Sequence, residues 1–246
     1  MYQFFVEPSQ IREESVLILG TDVNHIKNVL RMEVGQMVSI SDKIEREYIC
    51  EIAAIEQESI KLHICSTVEE NRELPSKIYL FQGLPKGDKM ELIIQKAVEL
   101  GVYEIIPVAM KRSVVKLDEK KEQVKRKRWQ SISESAAKQS KRVVIPKIQS
   151  VMSFKEAISY ADKLDVKLLP YENEKGISGT KELISTISKG HLIGIFIGPE
   201  GGFEDLEVEH ARLDKWEVIS LGNRILRTET AGFTILSILM YYLETQ

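Results

Sequence analysis

Short hydrophobic runs separated by polar turns dominate the first 70 residues of the chain. Five runs rich in valine, isoleucine and tyrosine have the length of β-strands. They cover residues 4–7, 16–19, 36–41, 48–55 and 59–66. Between the second and third runs, His25, Val29 and Met32 recur at helical spacing, and Asp22 is placed to cap that helix. The pattern predicts a small, partly closed β-barrel with one helix.

From residue 77 onward the pattern changes to strands that alternate with helices. A polar segment, 69–75, separates the two patterns, so we predict a domain boundary there and domains at 1–72 and 73–246. Strands are predicted at 78–82, 104–109, 144–148, 166–169, 192–197 and 217–221. The longer helices are predicted at 88–100, 119–140, 205–213 and 231–243, with short helices after the third and fourth strands. This alternation is typical of an α/β domain with a parallel sheet.

The predicted strand at 193–197 is apolar or glycine throughout and leads directly into the loop Gly-Pro-Glu-Gly-Gly at 198–202. Glycines allow positive φ and a close approach of a ligand to the backbone, while Pro199 stiffens the loop. A loop at the carboxyl end of a parallel strand is well placed to bind a ligand. It is equally consistent with a tight connection to a surface helix. The loop has neither the Gly-Lys-Ser/Thr of a Walker loop nor the spacing of a dinucleotide-binding fingerprint.

A second glycine-bearing loop, 221–231, follows the next predicted strand and precedes the terminal helix. Ile225 and Leu226 offer apolar contacts there, and the charged Arg227 and Glu229 require partners or a ligand in so apolar a setting. The two loops together predict one ligand-binding crevice. The alternative is that Thr228 caps the last helix while both charged residues lie in solvent.

Positive charge is concentrated in one part of the chain, although the formal net charge of the 246 residues is -3. Residues 111–147 contain 13 Lys or Arg and four Asp or Glu, a local balance of +9, which leaves -12 for the remainder. A solvated helix flank would explain such a run, but its charges are too one-signed for a network of salt bridges. We therefore expect a polyanionic partner at this surface.

Other features of the sequence argue against export, membrane insertion and metal binding. The first residues lack the basic region and long apolar core of a signal peptide. The longest apolar segment, 231–243, is too short to span a bilayer, so we predict a cytoplasmic protein. Cys50 and Cys65 have no histidine at ligand spacing, which predicts buried, reduced thiols and no metal site.

The predicted terminal helix, 231–243, has hydrophobic residues on nearly every side, including Phe233, Ile238 and Tyr241. A helix without a polar face is either buried in its own domain or packed against another subunit.

Four segments, 86–101, 128–142, 198–202 and 221–231, resemble in order and spacing the RsmE family of bacterial methyltransferases, which act on small-subunit ribosomal RNA at N3 of uridine. The resemblance covers nearly the whole chain. It implies a carboxyl-terminal domain of the SPOUT class with a trefoil knot, a PUA-like amino-terminal barrel containing 25–31, and a homodimer formed through the terminal helix. Many members carry an arginine close to their start, where this chain has Tyr2 and Gln3.

The family's methyl donor is S-adenosylmethionine, which is bound in the crevice of the knot. The resemblance implies that ten residues of this chain bind it, mainly through their backbone: Leu169, Pro170, Ile197, Gly198, Pro199, Gly202, Leu221, Gly222, Ile225 and Leu226.

Methylation at N3 of uracil requires loss of a weakly acidic proton, hence a general base or cations that stabilise the uridine anion. We predict Glu200 and Glu229 as candidate bases and Arg142 and Arg227 as anion stabilisers. The alternatives are that Glu200 orients the loop backbone and that Glu229 interacts with the dipole of the last helix.

RNA is the predicted partner, as ribosomal RNA or the small ribosomal subunit. The residues predicted to contact it are His25, Arg31, Arg112, Lys121, Lys125, Arg128, Lys138, Lys141 and Arg142. His25 and Arg31 are equally consistent with ordinary surface positions on an amphipathic helix. Two other functions remain open: methylation of another RNA position or of ribose 2'-O, and a non-catalytic role in ribosome assembly.

Overall fold

The computed structural model describes residues 1–69, 72–174 and 176–246. Within these ranges the chain divides into two compact units. The first comprises 1–73 and 137–145, and the second comprises 74–136 and 146–246. The predicted domain division after residue 72 stays a prediction, and two residues of its polar segment, Glu70 and Asn71, lie outside the described residues. Segment 137–145, which we assigned to the second domain, belongs to the first unit.

The first unit contains a six-stranded sheet in the order β1-β4-β5-β6-β3-β2. Its strands are β1 (Tyr2–Phe5), β2 (Ile11–Arg12), β3 (Ser15–Leu19), β4 (Met37–Ser41), β5 (Glu47–Ile55) and β6 (Ser59–Val68). The β1 and β4 strands are parallel and the other pairs are antiparallel. The strands surround an apolar core that includes Val38, Ile40, Ile52 and Ile60.

The helix of the first unit is shorter and less regular than predicted. It consists of α1 (Thr21–Asn24) followed by a π-helical turn, His25–Val29. Asp22 is not its N-cap, because Gly20, at φ +74°, takes that position. The Asp22 carboxylate instead accepts a hydrogen bond from Lys138 at 3.2 Å.

The second unit is built on a seven-stranded parallel sheet in the order β10-β8-β7-β12-β11-β13, with β9 also paired to β8. Its strands are β7 (Lys77–Gly83), β8 (Val102–Ala109), β9 (Lys147–Ile148), β10 (Met152–Ser153), β11 (Val166–Pro170), β12 (Leu192–Ile197) and β13 (Glu217–Ile219). Its helices are α2 (Lys89–Glu99), α3 (Glu119–Ser140), α4 (Phe154–Tyr160), α5 (Ile177–Ser185), α6 (Asp205–Leu213) and α7 (Thr228–Glu244), and the last residues of α3 group with the first unit. The predicted α/β fold with a parallel sheet is confirmed.

Aromatic side chains fill one side of this sheet. Phe81, Phe196 and Trp216 are almost fully buried, and their ring centroids lie 5.4–5.7 Å apart. Such ring packing stabilises the strand order around β12, which is the central strand that leads to the Gly-Pro-Glu-Gly-Gly loop. The trefoil knot stays a prediction.

The structure places the two cysteines in different surroundings. Cys50 is buried, which raises the pKa of its thiol to about 12, whereas Cys65 is exposed, so the prediction of two buried thiols is wrong for Cys65. No helix in the described part of the chain is long and apolar enough to cross a membrane. Among those same residues, no group of three or more histidine, cysteine or acidic side chains is arranged to hold a metal ion.

Candidate functional site

Three loops of the second unit lie together because their strands are parallel neighbours. The loops follow β11, β12 and β13, which are adjacent in the sheet. Parallel strands end at the same edge, so the segments that begin at Tyr171, Gly198 and Ser220 come together there.

A crevice opens between these loops and consists of two adjoining cavities of about 330 and 400 Å³. Both fall in the size range of ligand sites, which is about 300–1,000 Å³. The two cavities share Pro170, Glu172, Ile225, Leu226 and Ala231.

The crevice brings together nine of the ten residues predicted to bind a cofactor. Leu221 and Gly222 line the first cavity, and the second is lined by Ile197, at the end of β12, and by Gly198, Pro199 and Gly202 of the loop that follows it. Leu169 is different: it is fully buried in the apolar core and lines neither cavity. Its neighbour Pro170, at the end of the strand, is the residue that reaches the crevice.

Glycine is required at two positions around the Gly-Pro-Glu-Gly-Gly loop. Gly202 has φ +68°, a left-handed conformation that disfavours other residues, and its N–H donates to the carbonyl of Pro199 at 2.9 Å. At the end of β7, a Cβ on Gly83 would lie 2.6 Å from the backbone nitrogen of Pro199. The loop is therefore packed directly against the end of β7, which limits its movement.

A chain of buried hydrogen bonds holds the carbonyl of Gly198. The Thr228 hydroxyl donates to that carbonyl at 2.6 Å, and the Gln82 side-chain amide donates to the Thr228 oxygen at 2.9 Å. Gln82 is 0% exposed and Thr228 is 5% exposed. This chain links β7, the loop after β12 and the start of α7. Thr228 is not the N-cap of α7, because Arg227 occupies that position and Thr228 is the first helical residue.

Lys89, the first residue of α2, lies between two of the predicted catalytic residues. Its Nζ is 3.0 Å from Glu200 Oε1 and 3.4 Å from Glu229 Oε2. The backbone N–H of Lys86 also donates to Glu200 Oε1 at 3.1 Å. Lys89 and Glu200 line the second cavity, whereas Glu229 does not.

These contacts shift the pKa values of Glu200 and Lys89, the two charged groups of this ion pair. Burial acts to raise the pKa of the Glu200 carboxyl, but hydrogen bonds from Lys89 and from backbone N–H groups outweigh it and lower the pKa. The hydrogen bond to Glu200 is the largest cause that raises the pKa of Lys89. At neutral pH the cavity therefore presents an ionised carboxylate beside an ammonium group.

The two predicted anion-stabilising arginines have different surroundings. Arg227 is exposed and lines the second cavity. Arg142 belongs to the first unit, is only 4% exposed, and pairs with the carboxylate of Glu73. Its backbone carbonyl accepts a hydrogen bond from the Gln3 amide at 2.6 Å. These contacts are those of a structural residue, and a catalytic role for Arg142 stays a prediction.

The residues predicted to bind RNA are divided between the two units. In the second unit, Arg128 pairs with Glu91, Lys121 pairs with Asp118, and Arg112 donates to the carbonyl of Gly201 at 3.0 Å. Lys125 lies over the ring of Trp129 with its Nζ 5.9 Å from the centroid.

In the first unit, His25 and Arg31 are exposed, and Lys141 donates to the carbonyl of Met1 at 2.6 Å. Lys138 pairs with Asp22 at 3.2 Å. The RNA contacts of both sets stay predictions.

Lys89, Gln82 and the buried role of Thr228 are not predicted by the sequence pattern. One signal for Gln82 was available, since an amide in an otherwise apolar strand requires a buried partner. Lys89 gave a weaker signal, because a lysine at the start of a helix is ordinarily a solvent-exposed residue.

Comparison with known proteins identifies relatives over the whole chain. A family model for the RNA methyltransferase domain matches residues 72–240, and a model for the RNA methyltransferase PUA domain matches residues 18–65. The ribosomal RNA small subunit methyltransferase E of Bacillus subtilis is 40% identical over 99% of this chain and 98% of its own length. The protein of the same name from Mesomycoplasma hyopneumoniae is 35% identical over 96% of this chain and 98% of its own length.

A solved structure shares this fold along its whole length. It is the ribosomal RNA small subunit methyltransferase E of Neisseria gonorrhoeae bound to S-adenosyl methionine. Its TM-score is 0.84 at 28% sequence identity, over 98% of this chain and 97% of that one.

Proposed function

Since this chain belongs to the family of ribosomal RNA small subunit methyltransferase E, we propose that it transfers a methyl group from S-adenosylmethionine to N3 of one uridine in small-subunit ribosomal RNA. The observation that carries the proposal is the crevice of the second unit, in which Lys89 forms an ion pair with Glu200 of the Gly-Pro-Glu-Gly-Gly loop. The PUA-like match in the first unit supports RNA as the partner. We accordingly propose that the protein acts in the cytoplasm, where such a substrate would be found.

The residues of the crevice suit S-adenosylmethionine. Pro170, Ile225 and Leu226 offer apolar surface, and the loops that surround them offer backbone donors and acceptors. Glu172 lines both cavities and supplies a carboxylate that suits a positively charged ligand. When bound, S-adenosylmethionine supplies an electrophilic methyl group on a sulfonium.

The protein must position the uracil for in-line attack on that methyl group. Glu200 is the candidate base, because it is ionised and lines the second cavity, whereas Glu229 does not line that cavity and its side chain is only 15% exposed. Arg227, at the edge of the same cavity, is placed to contact an RNA phosphate or the uridine anion.

The proposal includes a homodimer formed through α7. Beside this helix lies an apolar groove of about 500 Å³, lined by residues that include Ile184, Leu221, Ile238, Tyr241 and Tyr242. The Tyr241 ring is on the surface although it is large and mostly apolar, with 71% of the residue exposed. A second copy of the chain would cover this surface.

A transfer assay followed by nucleoside analysis tests the proposal. Purified protein is incubated with methyl-labelled S-adenosylmethionine and either free small-subunit RNA or isolated small subunits, and the digested RNA is separated by mass spectrometry. We expect the label in 3-methyluridine. Label in a 2'-O-methylated nucleoside or at another base position would contradict the N3 assignment, and absence of transfer with saturable donor binding would favour an assembly role.

A further inference from the structure

The ammonium group of Lys89 is held at the cavity by residues from two other segments. Glu200 comes from the loop after β12 and Glu229 from the first turn of α7. The Lys89 side chain is 32% exposed, so it is neither buried nor free in solvent. Two carboxylates hold the ammonium group in position, and Lys89 itself lines the second cavity.

The candidate proton acceptor beside Lys89 is the carboxylate of Glu200. Hydrogen bonds from Lys89 and from the Lys86 N–H stabilise the charged form of Glu200 and lower its pKa, which makes this carboxylate a weak base. Proton transfer is most effective when the acidities of donor and acceptor are matched. A weak base therefore requires that the N3–H of uracil become more acidic in the site.

A cation near the uracil carbonyl oxygens would produce that change, because negative charge spreads from N3 onto these oxygens when the proton leaves. Arg142 is buried and paired with Glu73 in the other unit. Arg227 is an exposed residue at the rim and forms no ion pair with a carboxylate within the part of the chain that the structure describes. Of these three cations, Lys89 is the one that is both held in position and adjacent to the candidate base.

We propose that Lys89 is a catalytic residue that donates a hydrogen bond to a uracil carbonyl oxygen next to N3 and stabilises the anion formed there. The N3 proton passes to the Glu200 carboxylate, and the N3 electron pair forms the new bond to the methyl carbon. The carbon–sulfur bond breaks, and its electron pair stays on sulfur as a neutral thioether. This inference rests on the proposed function, since it concerns transfer to N3.

A catalytic role of Lys89 can be distinguished from a structural one by changing the acidity of the N3–H of the substrate. The test measures single-turnover transfer by the wild type, Lys89→Met and Lys89→Arg on two RNAs, one with uridine and one with 5-fluorouridine at the target. Fluorine withdraws electrons and makes N3–H more acidic, so this substrate depends less on a stabilising cation. Lys96→Met is the matched control, because Lys96 also lies on α2 and pairs with a glutamate, Glu99, at 2.8 Å.

We expect Lys89→Met to slow transfer to uridine by about 10²-fold, the typical effect of removing one donor from a charge-stabilising site. On the 5-fluorouridine RNA, the ratio of the wild-type rate to the Lys89→Met rate should be smaller by about tenfold or more. The rate of Lys89→Arg on uridine RNA should lie between those of the wild type and Lys89→Met. The affinity of each variant for S-adenosylmethionine, measured by calorimetry, should stay close to that of the wild type. Lys96→Met should match the wild type in every assay.

Equal deficits of Lys89→Met on the two RNAs would overturn the assignment and indicate a structural role. So would a loss of donor affinity that accounts for the whole effect. A wild-type protein that binds the donor but forms no 3-methyluridine would overturn both this inference and the function on which it rests.

Discussion

The carbonyl of Gly198, in the wall of the crevice, is held by side chains that are distant in the sequence. Thr228 donates to it, Gln82 donates to Thr228, and both side chains are buried. Buried hydrogen bonds of this kind contribute modestly when made but are costly to leave unmade. Their effect here is to hold one wall of the crevice at a defined position.

Replacing Thr228 by valine should destabilise the protein, because valine keeps the shape of the side chain but leaves a buried carbonyl without its donor. We expect the free energy of unfolding, measured in urea, to fall by about 1–3 kcal/mol. Thr228→Ser retains the hydroxyl and serves as the control, with most of the stability kept. If the valine variant were as stable as the wild type, the hydrogen-bond chain would have no structural role.

Some residues of the site could be predicted from the sequence and others could not. The glycines of 198–202 can be recognised because glycine permits backbone torsions that a ligand-binding loop uses. Ile225 and Leu226 can be recognised because they are hydrophobic side chains within a loop. Lys89 acquires its role only from Glu200 and Glu229, which are more than a hundred residues away. Periodicity cannot reveal a partner at that separation, because it reports only which face of an element is buried.

Among the elements, the helix α7 is predicted by its apolar pattern, but that pattern does not say whether its own domain or a second subunit covers it. It runs from Thr228 to Glu244, three residues longer at its start than predicted, because Arg227 rather than a later residue is its N-cap. Its fully buried positions include Ile235, Leu236 and Leu239, which explains part of its apolar character. The exposed ring of Tyr241 and the apolar groove beside it form a surface of α7 that no other element of the same chain covers in the described structure.

A charged side chain placed on this exposed apolar surface of α7 should prevent formation of the homodimer. We expect Tyr241→Glu to be a folded monomer and the wild type to be a dimer, because a buried carboxylate at an apolar interface has no partner. The oligomeric state is measured by analytical ultracentrifugation. Leu213→Glu is the matched control, since Leu213 is 81% exposed on α6, and it should remain dimeric. A wild-type monomer, or a dimeric Tyr241→Glu, would contradict the proposed interface.

Short and irregular elements are predicted least well by the pattern. The strand β9 (Lys147–Ile148) covers only the end of the strand predicted at 144–148, and β10 is not predicted at all, because two residues are too few to show alternation. The helix after β3 changes from α to a π-helical turn at His25, and side-chain spacing alone does not distinguish these geometries. The long strands and helices, by contrast, were predicted within a few residues, because burial repeats along them many times.

At the scale of the whole molecule, two units with different sheets carry different parts of the proposed function. The antiparallel-rich unit matches an RNA methyltransferase PUA model, and the parallel unit contains the crevice. The excess positive charge lies in 111–147, a segment that contributes residues to both units. This distribution supports a large polyanion as the substrate rather than a small molecule.

The most direct test of the central claim is the modification of small-subunit ribosomal RNA in cells of the source organism that lack this protein. Nucleoside mass spectrometry and primer extension are compared for the parent strain, the deletion strain and strains that express the wild type or Lys89→Met. We expect one 3-methyluridine to disappear on deletion, to return with the wild type, and to return weakly with Lys89→Met. An unchanged level of 3-methyluridine in the deletion strain would contradict the account.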